Sequence, residues 1–315
     1  MEFRTPIPIK KEKKPIDYSS KVVLFGSCFV ENIEKNFNHF KFQNNSNPFG
    51  IIFHPKAIEK AVSECVKSKE YQQRDLFYND DYWLSFNHHT KFSSDRLDEI
   101  LTNINANIRT THTALKEATH VFITLGTSWV YRFESTGNIV ANCHKIPQKQ
   151  FQKSLLSMEQ ITQSLTKTIT NLKKINPEVT ILLTVSPVRH LKDGFVENTR
   201  SKAHLHTAIH EVIDDKSIFY FPSFEIMMDD LRDYRFYKND WLHPSETALK
   251  YIWEKFKSAW IDEKEFALMQ EIDGIQKSLE HRPFRKDSDE HRQFLSKLHK
   301  KMERITTKYP SIKFT

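Results

Sequence analysis

The sequence predicts an α/β fold: a doubly wound, three-layer sandwich on a mostly parallel sheet of five strands, with a helical C-terminal tail. Short β-branched and apolar runs recur at 22–25, 121–125, 180–185 and 218–221, and strands apolar on both faces belong inside parallel sheets. Between them lie segments with apolar residues at helical spacing, so strand and helix alternate along the chain. Beyond Asp262 the strand signals stop and charged helical segments follow.

The elements follow in order. Residues 1–20 are rich in lysine and proline, show no chemistry, and read as an arm on the surface. Residues 21–261 make the α/β domain and residues 262–315 the helical extension, with no internal repeat. The first strand, at 22–25, breaks at Gly26 and leads into a helix at 29–37 with Val30, Ile33 and Phe37 on one side. Residues 39–43, HFKFQ, alternate as a second strand would. A loop from Asn44 carries Asn47, Pro48 and Gly50 into a helix at 55–68, where Pro55 suits the first turn. The aromatic stretch 71–92 reads as a hairpin or lid, and helical spacing returns at 96–115. The third strand ends in Gly126, Thr127 and Ser128, and a β excursion follows at 131–143 around turn chemistry at 135–138. A helix at 158–175 precedes the fourth strand, which leads to Pro187, Arg189 and His190. A helix at 198–213, the fifth strand, a helix at 246–260 capped by Ser245, and a tail helix at 290–308 complete the chain.

Composition narrows the function. The 315 residues hold 47 Lys and Arg against 40 Asp and Glu, a net charge of +7. The lysines are scattered among carboxylates, so nucleic acid is not the expected partner. There is no run of about 18 apolar residues to span a membrane, and the charged opening lacks the apolar core of a signal peptide. A cytoplasmic location is expected. Cys28, Cys65 and Cys143 lack metal-site spacing, which argues against a disulfide framework or a structural zinc. His206 and His210 share a helix face without the H-E-x-x-H glutamate. No metal and no cofactor are expected, and the oligomeric state is not legible.

Two stretches carry chemistry. Residues 21–29, KVVLFGSCF, deliver Ser27 and Cys28 to a strand-to-helix junction, where the turn exposes a nucleophile and helix N–H groups lie near. A helix N-terminus is expected to lower the Cys28 thiol pKa. Residues 240–244, DWLHP, put Asp240 one turn before His243, so the carboxylate can fix the imidazole while the other ring nitrogen faces a nucleophile. Elsewhere, Arg189 stands after a core strand, where it can hold a substrate carboxylate or phosphate, and His144, next to Cys143, is a further substrate-contacting candidate. Tyr78, Tyr82, Trp83 and Phe86 are an aromatic group fit for a packed hairpin or for a sugar ring.

An early strand ending in Gly-x-(Ser or Cys), paired with D-x-x-H-P, resembles the SGNH or GDSL-type hydrolase superfamily, and the string GSCFV at 26–30 resembles the GSCFA family. The resemblance covers roughly 21–260 and extends towards HRPF at 281–284. It implies a flavodoxin-like sandwich. In its register Gly26 matches the glycine of Gly-Asp-Ser, Ser27 takes the aspartate position, and Cys28 takes that of the nucleophilic serine. Cys28 is thereby preferred, with Ser27 the alternative. Gly50 matches the second-block glycine of the oxyanion hole, with Asn47 beside it. The third block, usually Gly-x-Asn-Asp, is represented by Gly126, Thr127, Ser128 and Trp129, so a serine stands where the oxyanion asparagine belongs. Asp240 and His243 occupy their usual places. What this implies is a hydrolase or acyltransferase acting on an acyl ester, acetyl among the candidates, of a small molecule or glycan. The alternatives are a scaffold that binds a carbohydrate or acyl carrier without turnover, and a partner-binding protein acting through its C-terminal helices.

Overall fold

A computed structural model describes residues 5–281 and 288–314. The chain runs β1 (Lys21–Gly26), α1 (Cys28–His39), β2 (Gln43–Ser46) and α2 (Pro55–Val66), then a hairpin of β3 (Phe77–Asn79) and β4 (Tyr82–Leu84), then α3 (Leu97–Glu117) and β5 (His120–Leu125). Next come β6 (Trp129–Phe133), β7 (Ile139–Val140), β8 (Phe151–Leu155), α4 (Met158–Ile175), β9 (Thr180–Val185), α5 (Phe195–His210) and β10 (Ile218–Tyr220). The short α6 (Ser223–Glu225) runs into a π-helical turn at Ile226–Asp230, and α7 (Glu246–Trp260), α8 (Phe266–Glu280) and α9 (Asp289–Lys308) close the chain.

The main sheet has the order β2-β1-β5-β9-β10, and every neighbouring pair is parallel. Counted along the chain its strands lie 2-1-3-4-5, the flavodoxin-like order, whose switch point falls beside β1. Side-chain alternation sends Val23, Phe25, Val121, Ile123, Ile181 and Leu183 to one face, where they pack with Ile58, Ile104 and Leu165 of α2, α3 and α4 and Leu205 of α5. Val22, Leu24, Phe122, Leu182 and Phe219 go to the other, against Ile33 of α1, Phe256 of α7 and Ile272 of α8. These are the three expected layers.

Some elements differ from the sequence reading. The second strand begins at Gln43, not at His39. Lys41 adopts a left-handed φ of 64°, Phe42 N–H returns to the Phe37 carbonyl, and the Phe40 and Phe42 rings stack on Trp253 and Tyr18. The alternation there is aromatic packing after a helix end, not a pleat. The β excursion gains a third strand, since β8 pairs antiparallel with β6; its three exposed central residues hide it from a search for apolar runs.

From the expected arm, Ile16 and Tyr18 are buried, and Ile16 forms a backbone bridge with Ile261. In the tail, Met269, Ile275, Leu298 and Ile305 sit in the second core cluster. Of HRPF, all but His281 lies outside the described residues. No helix among the described residues is long and apolar enough to cross a membrane.

Candidate active site

The β1–α1 junction is shaped by Gly26. Its φ is +146°, and a Cβ there would lie 2.4 Å from the Thr124 carbonyl oxygen on neighbouring β5, so no side chain is tolerated without moving backbone. Gly26 N–H donates to Asn47 Oδ1 at 2.9 Å. Ser27 is buried and caps α1, its Oγ accepting from Phe29 N–H at 3.3 Å. Cys28 opens the helix with its thiol partly exposed. Contrary to the sequence expectation, its pKa is raised, by burial first and then by the Glu31 carboxylate one turn on. Its own backbone N–H and the charges of Lys202 and Lys238 act the other way, more weakly. A thiol so placed would act as a nucleophile only with a base beside it.

The DWLHP stretch is a rigid turn. Asp240 Oδ2 lies 2.7 Å from His243 Nδ1, while Oδ1 accepts from the N–H groups of Leu242 and His243 at 2.9 and 3.0 Å. Those backbone donors hold the Asp240 carboxyl down to about 2, with the imidazole adding to them. The carboxylate assigns the proton of a neutral ring to Nδ1 and leaves Nε2 as the acceptor. Behind it, Ser245 caps α7 by accepting from Ala248 N–H. Both dyad side chains are open to solvent. No hydrogen bond joins Cys28 or Ser27 to His243; the two halves of the site are not closed onto each other here.

The three expected oxyanion donors are committed elsewhere. Gly50 N–H closes a turn onto the Asn47 carbonyl at 2.7 Å, and its φ of +74° serves a tight approach to His89. Gly126 N–H donates to the Phe53 carbonyl at 2.7 Å. Ser128 gives its hydroxyl to the Ser201 carbonyl and its N–H to Ser201 Oγ, both at 2.7 Å, and Thr127 Oγ1 pairs with the same hydroxyl at 2.9 Å. Ser128 and Thr127 fasten the β5 turn to α5 and offer little to a ligand. His144 is likewise engaged within the protein, with its ring nitrogens 2.7 Å from the Ser85 carbonyl and 3.3 Å from Thr90 Oγ1.

Asn47 is different. It is 4% exposed, its Oδ1 is fixed by Gly26, and its Nδ2 is buried without a protein partner. Thr124 Oγ1, Ser186 Oγ and His190 Nε2 share that condition and lie at or just past the carboxyl ends of the same sheet. Buried polar atoms are nearly always paired, so each of these four calls for a partner that the protein's own side chains and backbone do not supply.

Sequence reasoning missed Lys202. Its fully buried ammonium donates to the carbonyls of Gly126 and Ser186 at 2.8 and 2.9 Å, tying the ends of β5 and β9 together. Burial pushes it down to about 7, against a smaller upward pull from Cys28. The available signal was Asn198, Ser201, Lys202 and Leu205 at helical spacing on one buried face of α5. Beside it, His190 stacks on Phe53 and is pushed down to about 3, by burial first and then by Lys202 and His243. Arg189 lines a cleft with Asp240 and has no side-chain partner among the described residues.

A family model described as the GSCFA family matches residues 21–256, and one described as the GSCFA domain protein C-terminal domain matches residues 272–315. No curated protein matches. Among solved structures, a carbohydrate esterase family 3 protein from Talaromyces cellulolyticus aligns with 80% of this chain and 98% of its own, at 8% identity and a TM-score of 0.36. An acetyl xylan esterase from the rumen bacterium Butyrivibrio proteoclasticus aligns with 84% of this chain and 65% of its own, at 9% identity and a TM-score of 0.33.

Proposed function

Since the chain belongs to the GSCFA family and bears a carboxylate–imidazole pair together with a nucleophile at the switch-point strand end, we propose that it is an acyl hydrolase or acyltransferase, acting on an ester of a small molecule or a glycan. The Asp240–His243 hydrogen bond of 2.7 Å carries this reading, because a carboxylate on Nδ1 is what readies Nε2 to take a proton. In the reaction His243 Nε2 accepts the Cys28 thiol proton as sulfur bonds to the ester carbonyl carbon. The carbonyl π pair moves to oxygen. The intermediate collapses as His243 returns the proton to the departing alkoxide, leaving a thioester. Water or a second alcohol then attacks that thioester, with His243 as base, and the thiol leaves.

Asn47 Nδ2 is the donor for the oxyanion, together with the Cys28 N–H. Its orphaned state and its carboxamide pinned by Gly26 support this assignment, and such a donor is worth about 3 kcal/mol in the transition state. Asn47 would thus take the place of the family pattern's missing third-block asparagine. Closure requires the Cys28 side chain and the exposed DWLHP turn to approach, a tightening common when substrate arrives.

The second reading, a scaffold that binds without turnover, is favoured by the raised thiol pKa and by the unclosed Cys28–His243 pair. A panel of acyl esters, assayed on wild type, Cys28→Ser, Cys28→Ala, Ser27→Ala and His243→Ala, separates the two. The acyl-transfer reading expects Cys28→Ala and His243→Ala to lose at least about 100-fold in kcat/KM. Loss with Ser27→Ala but not Cys28→Ala would reassign the nucleophile.

A further inference from the structure

Beside the dyad lies a cleft of about 640 Å³ whose lining includes Arg189, Arg232, Tyr234, Asp240 and Trp241. Asp240 therefore belongs both to this cleft and to the turn that fixes His243. Tyr234 and Trp241 are 74% and 58% exposed, unusual for such large rings, and meet edge to face at 5.8 Å. Trp241 also sits at φ +60°, a left-handed conformation that bulky side chains avoid. Asp240 enforces this turn by accepting from the N–H groups of Leu242 and His243, and Trp241 N–H closes onto the Lys238 carbonyl. A glycine would make the same turn without strain. A tryptophan held there against its preference suggests a ring presented for contact.

The charges in the cleft are not equivalent. Asp233 is paired with Arg235 at 3.0 Å, and Asp240 is satisfied by His243 and two backbone donors. Arg232 is spent on the Asp229 carbonyl and Thr5 Oγ1. Arg189 is left, half-buried, without a hydrogen-bond or ion-pair partner among the described residues. The exposed face of one aromatic ring, walled by a second ring set across it, suits the C–H face of a sugar ring. An unpaired guanidinium suits a carboxylate, which it can grip with two parallel bonds.

We propose that this cleft binds an acidic saccharide, with a uronate-type ring packed on Trp241 and Tyr234 and its carboxylate held by Arg189. This rests on the acyl-transfer reading of the neighbouring dyad and adds the non-reacting part of the substrate.

Binding of a galacturonic acid trimer and of the matching neutral galactose trimer, measured by calorimetry on Cys28→Ala protein, tests it. The acidic trimer is expected to bind about tenfold tighter. Arg189→Gln should reduce it to the affinity of the neutral trimer, and Tyr234→Ala, an exposed site that should not disturb folding, should weaken both by a similar factor. Equal affinity for the two trimers, insensitivity to Arg189→Gln, or binding of neither would overturn the proposal. So would capture of a phosphopantetheine thioester in their place. Because this readout needs no turnover, inactivity of the wild type on esters would count against the dyad alone. Ester cleavage without acid preference would count against the cleft alone.

Discussion

Among the buried residues, Lys202 carries a heavy electrostatic cost, since its ammonium meets two carbonyl oxygens and no carboxylate within ion-pair distance. Its folded pKa of about 7 lies below the ordinary lysine value of 10.5. The unfolded chain therefore binds more protons between these values, and stability rises with pH across that window. Below about 7 both states are charged and the penalty is constant. From pH 7 to pH 9 the group is expected to add on the order of 2 kcal/mol. Lys202→Met removes that rise and strips two buried carbonyls of their donor, so its deficit relative to wild type should widen between urea unfolding curves at pH 7 and pH 9. An unchanged gap would mean that the folded lysine stays protonated throughout, as a hydrated ammonium would. At this scale the sequence was legible only where contacts are short-range. Asp240 and His243 are three residues apart, and their pairing follows from the turn. The grip of Asn47 on Gly26 spans 21 residues and that of Lys202 on Gly126 spans 76, so neither leaves a local signal.

The β1–α1 junction is the element on which the site depends. Gly26 lets β1 press against Thr124, accepts nothing larger than hydrogen, and hands its N–H to Asn47. Gly26→Ala should therefore cost about 3 kcal/mol or more, as backbone displaced in a central strand does. A thermal unfolding scan would detect it as a large fall in Tm, and an unchanged Tm would show that β5 can yield. The strands β1, β5 and β9 were readable because both faces of each are buried, which leaves an unbroken apolar run. Residues 39–43 misled for the opposite reason, since Phe40 and Phe42 alternate in sequence but pack on Trp253 and Tyr18 after a helix end. The commitments of the expected oxyanion donors were not legible, because the Gly126 N–H reaches the Phe53 carbonyl and the Ser128 hydroxyl the Ser201 carbonyl, both far away in sequence, while the Gly50 N–H closes a turn onto Asn47.

Across the whole molecule, the parallel sheet gathers Ser27, Cys28, Asn47, Arg189 and Lys202 at one end, because every strand of it points the same way. The opposite face, with α1, α7, α8 and the buried side of α9, forms a second core that backs both the helix bearing Cys28 and the helix that follows His243. The C-terminal helices thus support the two halves of the proposed site from behind. The proposed function stands on the Cys28 sulfur becoming acylated with His243 as its base. The most direct measurement is peptide mass mapping of protein mixed briefly with p-nitrophenyl acetate and quenched in acid. The proposed mechanism expects one acetyl group on Cys28 in wild type, none on the comparably exposed Cys143, and no labelling of Cys28 in His243→Ala. Acetylation of Ser27, or equal labelling of Cys28 and Cys143 regardless of His243, would contradict it.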